Sequence, residues 1–343
     1  MIEAFFSWYN GLTDTLLGSL ALFAVGLVLL IKGGDWFVDS ATGIAKRFRV
    51  PEIIIGATVV SIGTTLPEVM VSATAAINQN GAIAYGNAIG SIICNTALIA
   101  AITIAIRPAP VNQKAIKMPV IFFFVSVAIY LVAAYLFGTF DRWLGIVMLA
   151  VFAVYMTITI RQGFKNPVAV DEHEEAEAAA EGSLIKDIIV LIVSAALIAV
   201  GADMLEGSSV SLATMAGIPT EVVGVTIVAL CTSLPELVTA ITALAKGHGA
   251  LSLGNIIGAN IFNLVLVSGV AVTISPFAVP EGSTIFSHNT SLVMEIPVMV
   301  GVMSLMTLPA LFCKKLFRWQ GIALLGIYVA FVVLQVLIAL HII

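Results

Sequence analysis

Read along its length, the 343-residue chain alternates long apolar runs with short polar breaks marked by Pro, Gly or clustered charge. A helix that crosses the hydrocarbon of a bilayer needs about 20 apolar residues. Ten runs are long enough, at 16–38, 52–77, 82–106, 118–138, 142–160, 184–213, 220–245, 250–275, 291–312 and 318–340. The pattern predicts an all-α membrane protein with ten transmembrane helices. No Lys or Arg precedes the first run, so it lacks the basic start of a cleaved leader and is expected to persist as a span.

The second half of the chain repeats the first. Shifted by 168 residues without a gap, Pro51–Leu98 aligns with Pro219–Leu266, and 19 of 48 positions are identical. Unrelated sequences of ordinary composition would share roughly three. Upstream, Gly33 and Asp35 pair with Gly201 and Asp203 at the same shift. Five spans per half is an odd number, so the second copy must enter the membrane from the opposite side. The expected architecture is two inverted repeats, 1–160 and 187–343, joined by a linker at 161–186. Inverted repeats are typical of secondary transporters, whose substrates bind near the bilayer midplane where the repeats meet.

Composition agrees, with 60% hydrophobic and 10% charged residues and a mean hydropathy of +1.11. Soluble domains carry about 25% charge. The basic residues then fix an orientation, because cytoplasmic loops collect Lys and Arg. Lys46, Arg47, Arg49, Arg107, Lys114, Lys117, Arg161, Lys165, Lys186, Lys246, Lys314, Lys315 and Arg318 fall on one side of the ten-span pattern, and Arg142 alone on the other. Both termini are thus expected outside a plasma (inner) membrane, with the acidic linker in the cytoplasm. Cys94, Cys231 and Cys313 match neither a disulfide framework nor a zinc site and read as packing residues.

The best-matched stretch pairs Gly63-Thr64-Thr65-Leu66-Pro67-Glu68 with Cys231-Thr232-Ser233-Leu234-Pro235-Glu236. An ionisable side chain at mid-span costs at least about 2.5 kcal/mol and marks function. Proline removes a backbone hydrogen bond, so Pro67 and Pro235 should free carbonyls at Gly63 and Cys231 beside the hydroxyls of Thr64, Thr65, Thr232 and Ser233. A hard cation suits such donors: Ca²⁺ takes six to eight oxygens, often from bidentate carboxylates. Glu68 and Glu236, brought together by the repeat axis, would supply four. The third and eighth spans add Ser91, Asn95 and Asn263, whose oxygens suit Na⁺, within Gly86–Asn95 and Gly254–Asn263.

With these motifs the chain resembles the sodium/calcium exchangers of the cation/calcium exchanger superfamily, in particular their single-chain prokaryotic members. The resemblance covers nearly the whole chain. It implies that Glu68 and Glu236 are shared Ca²⁺ and Na⁺ ligands, completed by Thr64, Thr232, Ser233, Ser91, Asn95 and Asn263 and by backbone oxygens at Ser61 and Ala229. Three positions depart from the family pattern: Asn263 for a frequent Asp, Ala259 for a common Ser, and Ser61 for a frequent Ala. By family analogy Asn263 argues against K⁺ co-transport. Related proton/calcium exchangers carry an acid after the Gly-Asn motif, where this chain has Gly90 and Gly258, so Na⁺ is expected rather than H⁺.

The expected activity is electrogenic, K⁺-independent Na⁺/Ca²⁺ antiport by alternating access, with Ca²⁺/H⁺ antiport the alternative and a passive cation channel a further one. No nucleophile–base constellation points to an enzyme. Neither a cofactor, a nucleic acid nor an obligate protein partner is expected; the partners are Na⁺, Ca²⁺ and the bilayer. Asp35 and Asp203 read as helix-end or interhelical groups, with Lys32 spaced to pair with Asp35. Glu295 and Gln335 read as interfacial or packing residues, and His173, His248, His288 and His341 as solvated.

Overall fold

The computed structural model describes residues 11, 13, 15–108, 111–165, 183–217, 229–280, 284–285, 288–340 and 342. Its helices are α1 (Leu16–Arg47), α2 (Glu52–Ile77), α3 (Gly81–Ile106), α4 (Gln113–Phe137), α5 (Arg142–Lys165), α6 (Leu184–Met215), α7 (Leu234–Ala245), α8 (Gly249–Ile274), α9 (Ser291–Cys313) and α10 (Arg318–Ala339). Among the described residues nine of these are long and apolar enough to cross a membrane, and α7 is the shorter exception. The expected seventh span, 220–245, begins in residues 220–228, which lie outside the described residues, as do most of the acidic linker, His173 and His341.

Element boundaries follow the sequence repeat. α1 and α6 are both 32 residues long and start at Leu16 and Leu184. α3 and α8 each begin with a 14-residue α-helical stretch, Gly81–Cys94 and Gly249–Phe262. Both then widen into π-turns, Asn95–Ala100 and Asn263–Val267. π-turns inside α-helices are rare and frequent at functional sites.

α8 and α3 form the centre, with 83% and 72% of their most apolar stretch buried, against 11% for α10. Glycines permit the closest approaches. A Cβ on Gly254 would collide with the Ile53 carbonyl and one on Gly258 with Ser61 Oγ, so α8 lies directly against α2. α1 and α6 meet reciprocally: a Cβ on Gly26 would sit 2.8 Å from the Gly201 carbonyl, and one on Gly201 2.8 Å from the Gly26 carbonyl.

The basic loops gather at one end. There Arg47 pairs with Asp187 at 3.5 Å, Val111 N donates to the Lys314 carbonyl at 2.9 Å, and Arg318 Nε donates to the Ala105 carbonyl at 2.9 Å. At the other end Arg142 donates to the Ile274 carbonyl at 3.2 Å. A two-residue ladder also forms there, β1 (Thr139–Phe140) pairing antiparallel with β2 (Phe277–Ala278). Cys94 and Cys231 are buried as expected, but Cys313, at the end of α9, is exposed.

The α2–α8 contact leaves no room for a side chain. Gly254→Val forces backbone apart rather than shifting a flexible tip, so it should cost more than the roughly 1–3 kcal/mol of ordinary overpacking. The expected readout in detergent is a melting temperature several degrees lower, with loss of monodisperse protein; an unchanged melt would refute the packing described.

Candidate functional site

The two halves deliver their acidic motifs by different backbone solutions. In α2, Pro67 lies inside a continuous stretch, Ser61–Ile77. A ring at that position leaves the Gly63 carbonyl without its i+4 donor, yet the helix does not break; its irregularity sits one turn earlier, in the π-turn Gly56–Val60. Around Pro235 the interruption is complete. A helical turn, Ala229–Thr232, ends at Ser233 (φ −94°, ψ 8°), and α7 starts with Pro235 and Glu236 in its first turn. Glu236 therefore faces the positive end of a helix dipole, which favours a carboxylate.

Both glutamates are completely buried and lie close enough to interact with each other. Thr65 Oγ1 donates to Glu236 Oε1 at 3.4 Å. Neither oxygen of Glu68 nor Oε2 of Glu236 has a hydrogen-bond partner. In the same condition are Ser91 Oγ, Ser233 Oγ and both side-chain polar atoms of Asn95 and of Asn263. Buried polar atoms are almost always paired, so each orphan calls for an explanation. Six of the expected site residues (Glu68, Ser91, Asn95, Ser233, Glu236 and Asn263) account for most of those found here. Asn95 and Asn263 open the π-turns of α3 and α8, and Ser91 lies one turn before Asn95 on the same face.

Other expected positions differ. Thr64 Oγ1 is committed to Asn255 Oδ1 at 3.3 Å. Ser61 is expected to offer its backbone oxygen; what the structure shows is its hydroxyl donating to the Gly56 and Asn255 carbonyls at 2.8 and 3.0 Å. The side chains of Thr232 and Ala229 lie outside the described residues.

Sequence reasoning missed the braces. Asn255 accepts from Ser61 and Thr64 on α2 and donates from Nδ2 to Thr239 on α7 at 3.0 Å. One amide thus ties both acidic helices to α8. Asn87, its counterpart in the repeat, donates to the Glu68 carbonyl at 3.1 Å and to Ser72 Oγ at 2.8 Å. The signal was present, since both asparagines are identical pairs in the repeat, but hydrogen-bond direction is not legible in one dimension. A further buried cluster joins Asn260 Nδ2 to Thr96 Oγ1 at 2.7 Å and to Met303 Sδ at 3.1 Å.

Residues set aside mostly pair with side chains distant in the sequence. Glu295 accepts from Gln335 Nε2 at 3.1 Å, which fits packing between α9 and α10. Asp35 pairs with Lys246 at 3.5 Å instead of Lys32. His248 Nδ1 contacts Glu52 Oε1 at 2.8 Å and is half-buried rather than freely solvated. Among the described residues no three His, Cys, Asp or Glu side chains converge. The donors at the glutamates are oxygens, a set for a hard cation rather than a soft one.

Known proteins resemble this chain in sequence and fold. The family model described as sodium/calcium exchanger protein matches residues 18–161 and 186–337. Sodium/calcium exchanger MaX1 of Methanosarcina acetivorans is 32% identical, over 91% of this chain and 97% of that protein. Inner membrane protein YrbG of Escherichia coli is 34% identical, over 75% of this chain and 80% of its own. A solved structure of the sodium-calcium exchanger NCX_Mj, soaked with Na⁺ and without Ca²⁺, superposes with a TM-score of 0.76 at 31% identity. It covers 91% of this chain and 97% of that one.

If Asn255 is the brace that its bonds indicate, Asn255→Ala leaves the buried Thr64 hydroxyl without its acceptor and takes one of several bonds from each of Ser61 and Thr239. An unsatisfied buried group costs about 1–3 kcal/mol. A melt measured without added Na⁺ or Ca²⁺ should drop by several degrees; a variant as stable as the parent would show the network to be incidental.

Proposed function

Since this chain belongs to the sodium/calcium exchanger family, we propose that it is a secondary antiporter exchanging Na⁺ for Ca²⁺ across the membrane by alternating access. Its ten spans form two inverted five-helix halves, 1–160 and 187–343, around one shared site. The observation that carries this reading is the cluster of buried, unpartnered oxygens centred on Glu68 and Glu236.

Charge bookkeeping explains exchange. With both glutamates ionised the empty site carries −2. One Ca²⁺ or two Na⁺ neutralise it, and a neutral occluded site crosses a low-dielectric barrier at far lower cost than a charged one. A third Na⁺ makes transport electrogenic. Because one ligand set serves both ions, binding of either excludes the other, and movement of each carries it in the opposite direction. Glu68, Glu236, Thr65 and Ser233 supply the central oxygens, and Ser91, Asn95 and Asn263 the flanking ones. Thr64, Thr232 and the backbone oxygens of Ser61 and Ala229 complete the cluster.

Asn263 adds no charge, which favours K⁺-independent exchange. Gly90 and Gly258 carry no acid, which favours Na⁺ over H⁺ as the counter-ion. The basic end of the molecule lies in the cytoplasm with the 161–186 linker, and both termini lie outside a plasma or inner membrane.

Uptake of ⁴⁵Ca²⁺ into Na⁺-loaded proteoliposomes is the direct test. Uptake should collapse when the Na⁺ gradient is removed and persist with a protonophore present. Removing one partner of a buried charged group costs about 3–5 kcal/mol, so Glu68→Gln should lower the initial rate by roughly 100-fold or more. Uptake that needs no Na⁺ gradient, or a fully active Glu68→Gln protein, would overturn the reading.

A further inference from the structure

The turns that follow the two acidic helices share one backbone and carry opposite electrostatics. After α2, Asn78, Gln79 and Asn80 donate their N–H groups to the carbonyls of Thr74, Ala76 and Ala75 at 3.0, 3.0 and 2.8 Å. After α7, Lys246, Gly247 and His248 donate to those of Thr242, Leu244 and Ala243 at 3.0, 3.1 and 2.8 Å. Each of these positions is its counterpart shifted by the repeat length, and the middle residue of both turns is left-handed, Gln79 at φ 58° and Gly247 at φ 88°. The first turn is neutral; the second carries Lys246 and His248.

The charged turn holds two helices. Lys246 Nζ contacts Asp39 Oδ1 at 2.8 Å, Asp35 Oδ1 at 3.5 Å and the Asp35 carbonyl at 3.0 Å, all on α1. His248 reaches Glu52 at the start of α2. Just beyond, α1 seats on α7: a Cβ on Gly34 would lie 2.6 Å from Val238 Cγ1 and 3.1 Å from Thr242 Oγ1.

The mirror contact is open. The counterparts of Val238 and Thr242 are Met70 and Thr74 on α2; Met70 is 69% exposed. Both line a groove of about 400 Å³ with Val71, Ala75, Asn78 and Ile83. If it closed, the mirror contact would also lack a cation to pair. Repeat counterparts of Lys246, Asp39 and Glu52 are Asn78, Gly207 and Thr220, and only Asp35 keeps an acidic counterpart, Asp203.

We propose that the Lys246–Gly247–His248 turn is a one-sided clasp that favours the state closed toward the basic, cytoplasmic end. It has no equivalent in the opposite state. This rests on the antiporter reading for the two alternating states, and adds that they are unequal in energy for a reason outside the ion site. A ligand that binds a fractionally populated state shows an apparent affinity weakened by that fraction. The clasp therefore weakens apparent Ca²⁺ binding at the cytoplasmic face, relative to the external face, compared with the same protein without it.

Half-saturating Ca²⁺ can be measured at each face in right-side-out and inverted vesicles, and the ratio compared between variants. Lys246→Met should lower the cytoplasmic-to-external ratio by roughly three- to tenfold, the scale of a partly shielded ion-pair network. Asp39→Asn should move it the same way by less. Asn78→Lys, which places a cation opposite Asp203 in the other state, should also lower the ratio, and Asn78→Lys with Lys246 intact should fall between the parent and the double variant with Lys246→Met. Ratios unchanged in variants that are monodisperse and retain maximal exchange would refute the clasp. Absence of Na⁺-dependent exchange in the unmodified protein would instead refute the antiporter reading.

Discussion

Two carboxylates buried side by side, with no ion pair to either among the described residues, set the terms for the rest of this fold. Moving a carboxylate out of water carries a penalty of several kcal/mol even after relaxation. A protein that needed only stability would pair such groups with Arg or Lys, or replace them. Here Glu236 receives one hydroxyl and a helix N-terminus, and Glu68 Oε1 and Oε2 receive no hydrogen bond. On the antiporter reading the charge that completes the site comes from outside the chain, and an ion that supplies it stabilises the folded state by mass action. A site completed by a permanent side-chain cation would hold nothing and release nothing.

The backbone around that pair is arranged to donate oxygen and to permit close approach. π-turns begin at Asn95 and Asn263, an interruption falls at Ser233, and a proline sits beside each glutamate. Irregular backbone at membrane depth is tolerated where it lines a cavity or is buried in protein, and these segments are among the most buried in the chain. Gly254 and Gly258 bring α8 onto α2 closely enough for Asn255 to reach Ser61 and Thr64. Packing and polar bracing are thus one feature: without the glycine seam the amide would have no hydroxyl within reach.

Much of this was legible in the sequence because a repeat is an internal comparison. Identical residues 168 positions apart singled out Glu68 and Glu236, Asn95 and Asn263, and the element boundaries that the structure repeats. What remained hidden depends on three-dimensional direction. Thr64 and Thr65 are adjacent hydroxyls in the same motif, yet one braces Asn255 and the other contacts Glu236. Pro67 and Pro235 are identical in sequence, yet only the second sits at a break, because Ser233 adopts a non-helical conformation where Thr65 stays helical. Lys32 lies at helical spacing from Asp35, but Lys246 from a distant turn takes that partner. Local spacing proposes neighbours; tertiary packing chooses among them.

Departures from repeat symmetry fall into two kinds with different consequences. On the antiporter reading proposed above, Ala259 opposite Ser91, or Ser233 opposite Thr65, changes a site that both access states share, so it alters the strength of ion binding in each alike. Lys246 opposite Asn78, on the clasp proposed above, changes a contact that one state has and the other lacks, so it alters the balance between states and leaves the proposed ion ligands untouched. A ligand can shift a conformational equilibrium only by its differential affinity for the two states. Where the central site is common to both, that difference has to be built at the ends of the helices. The charged turn beyond α7 and its neutral twin beyond α2 are placed where such a difference acts.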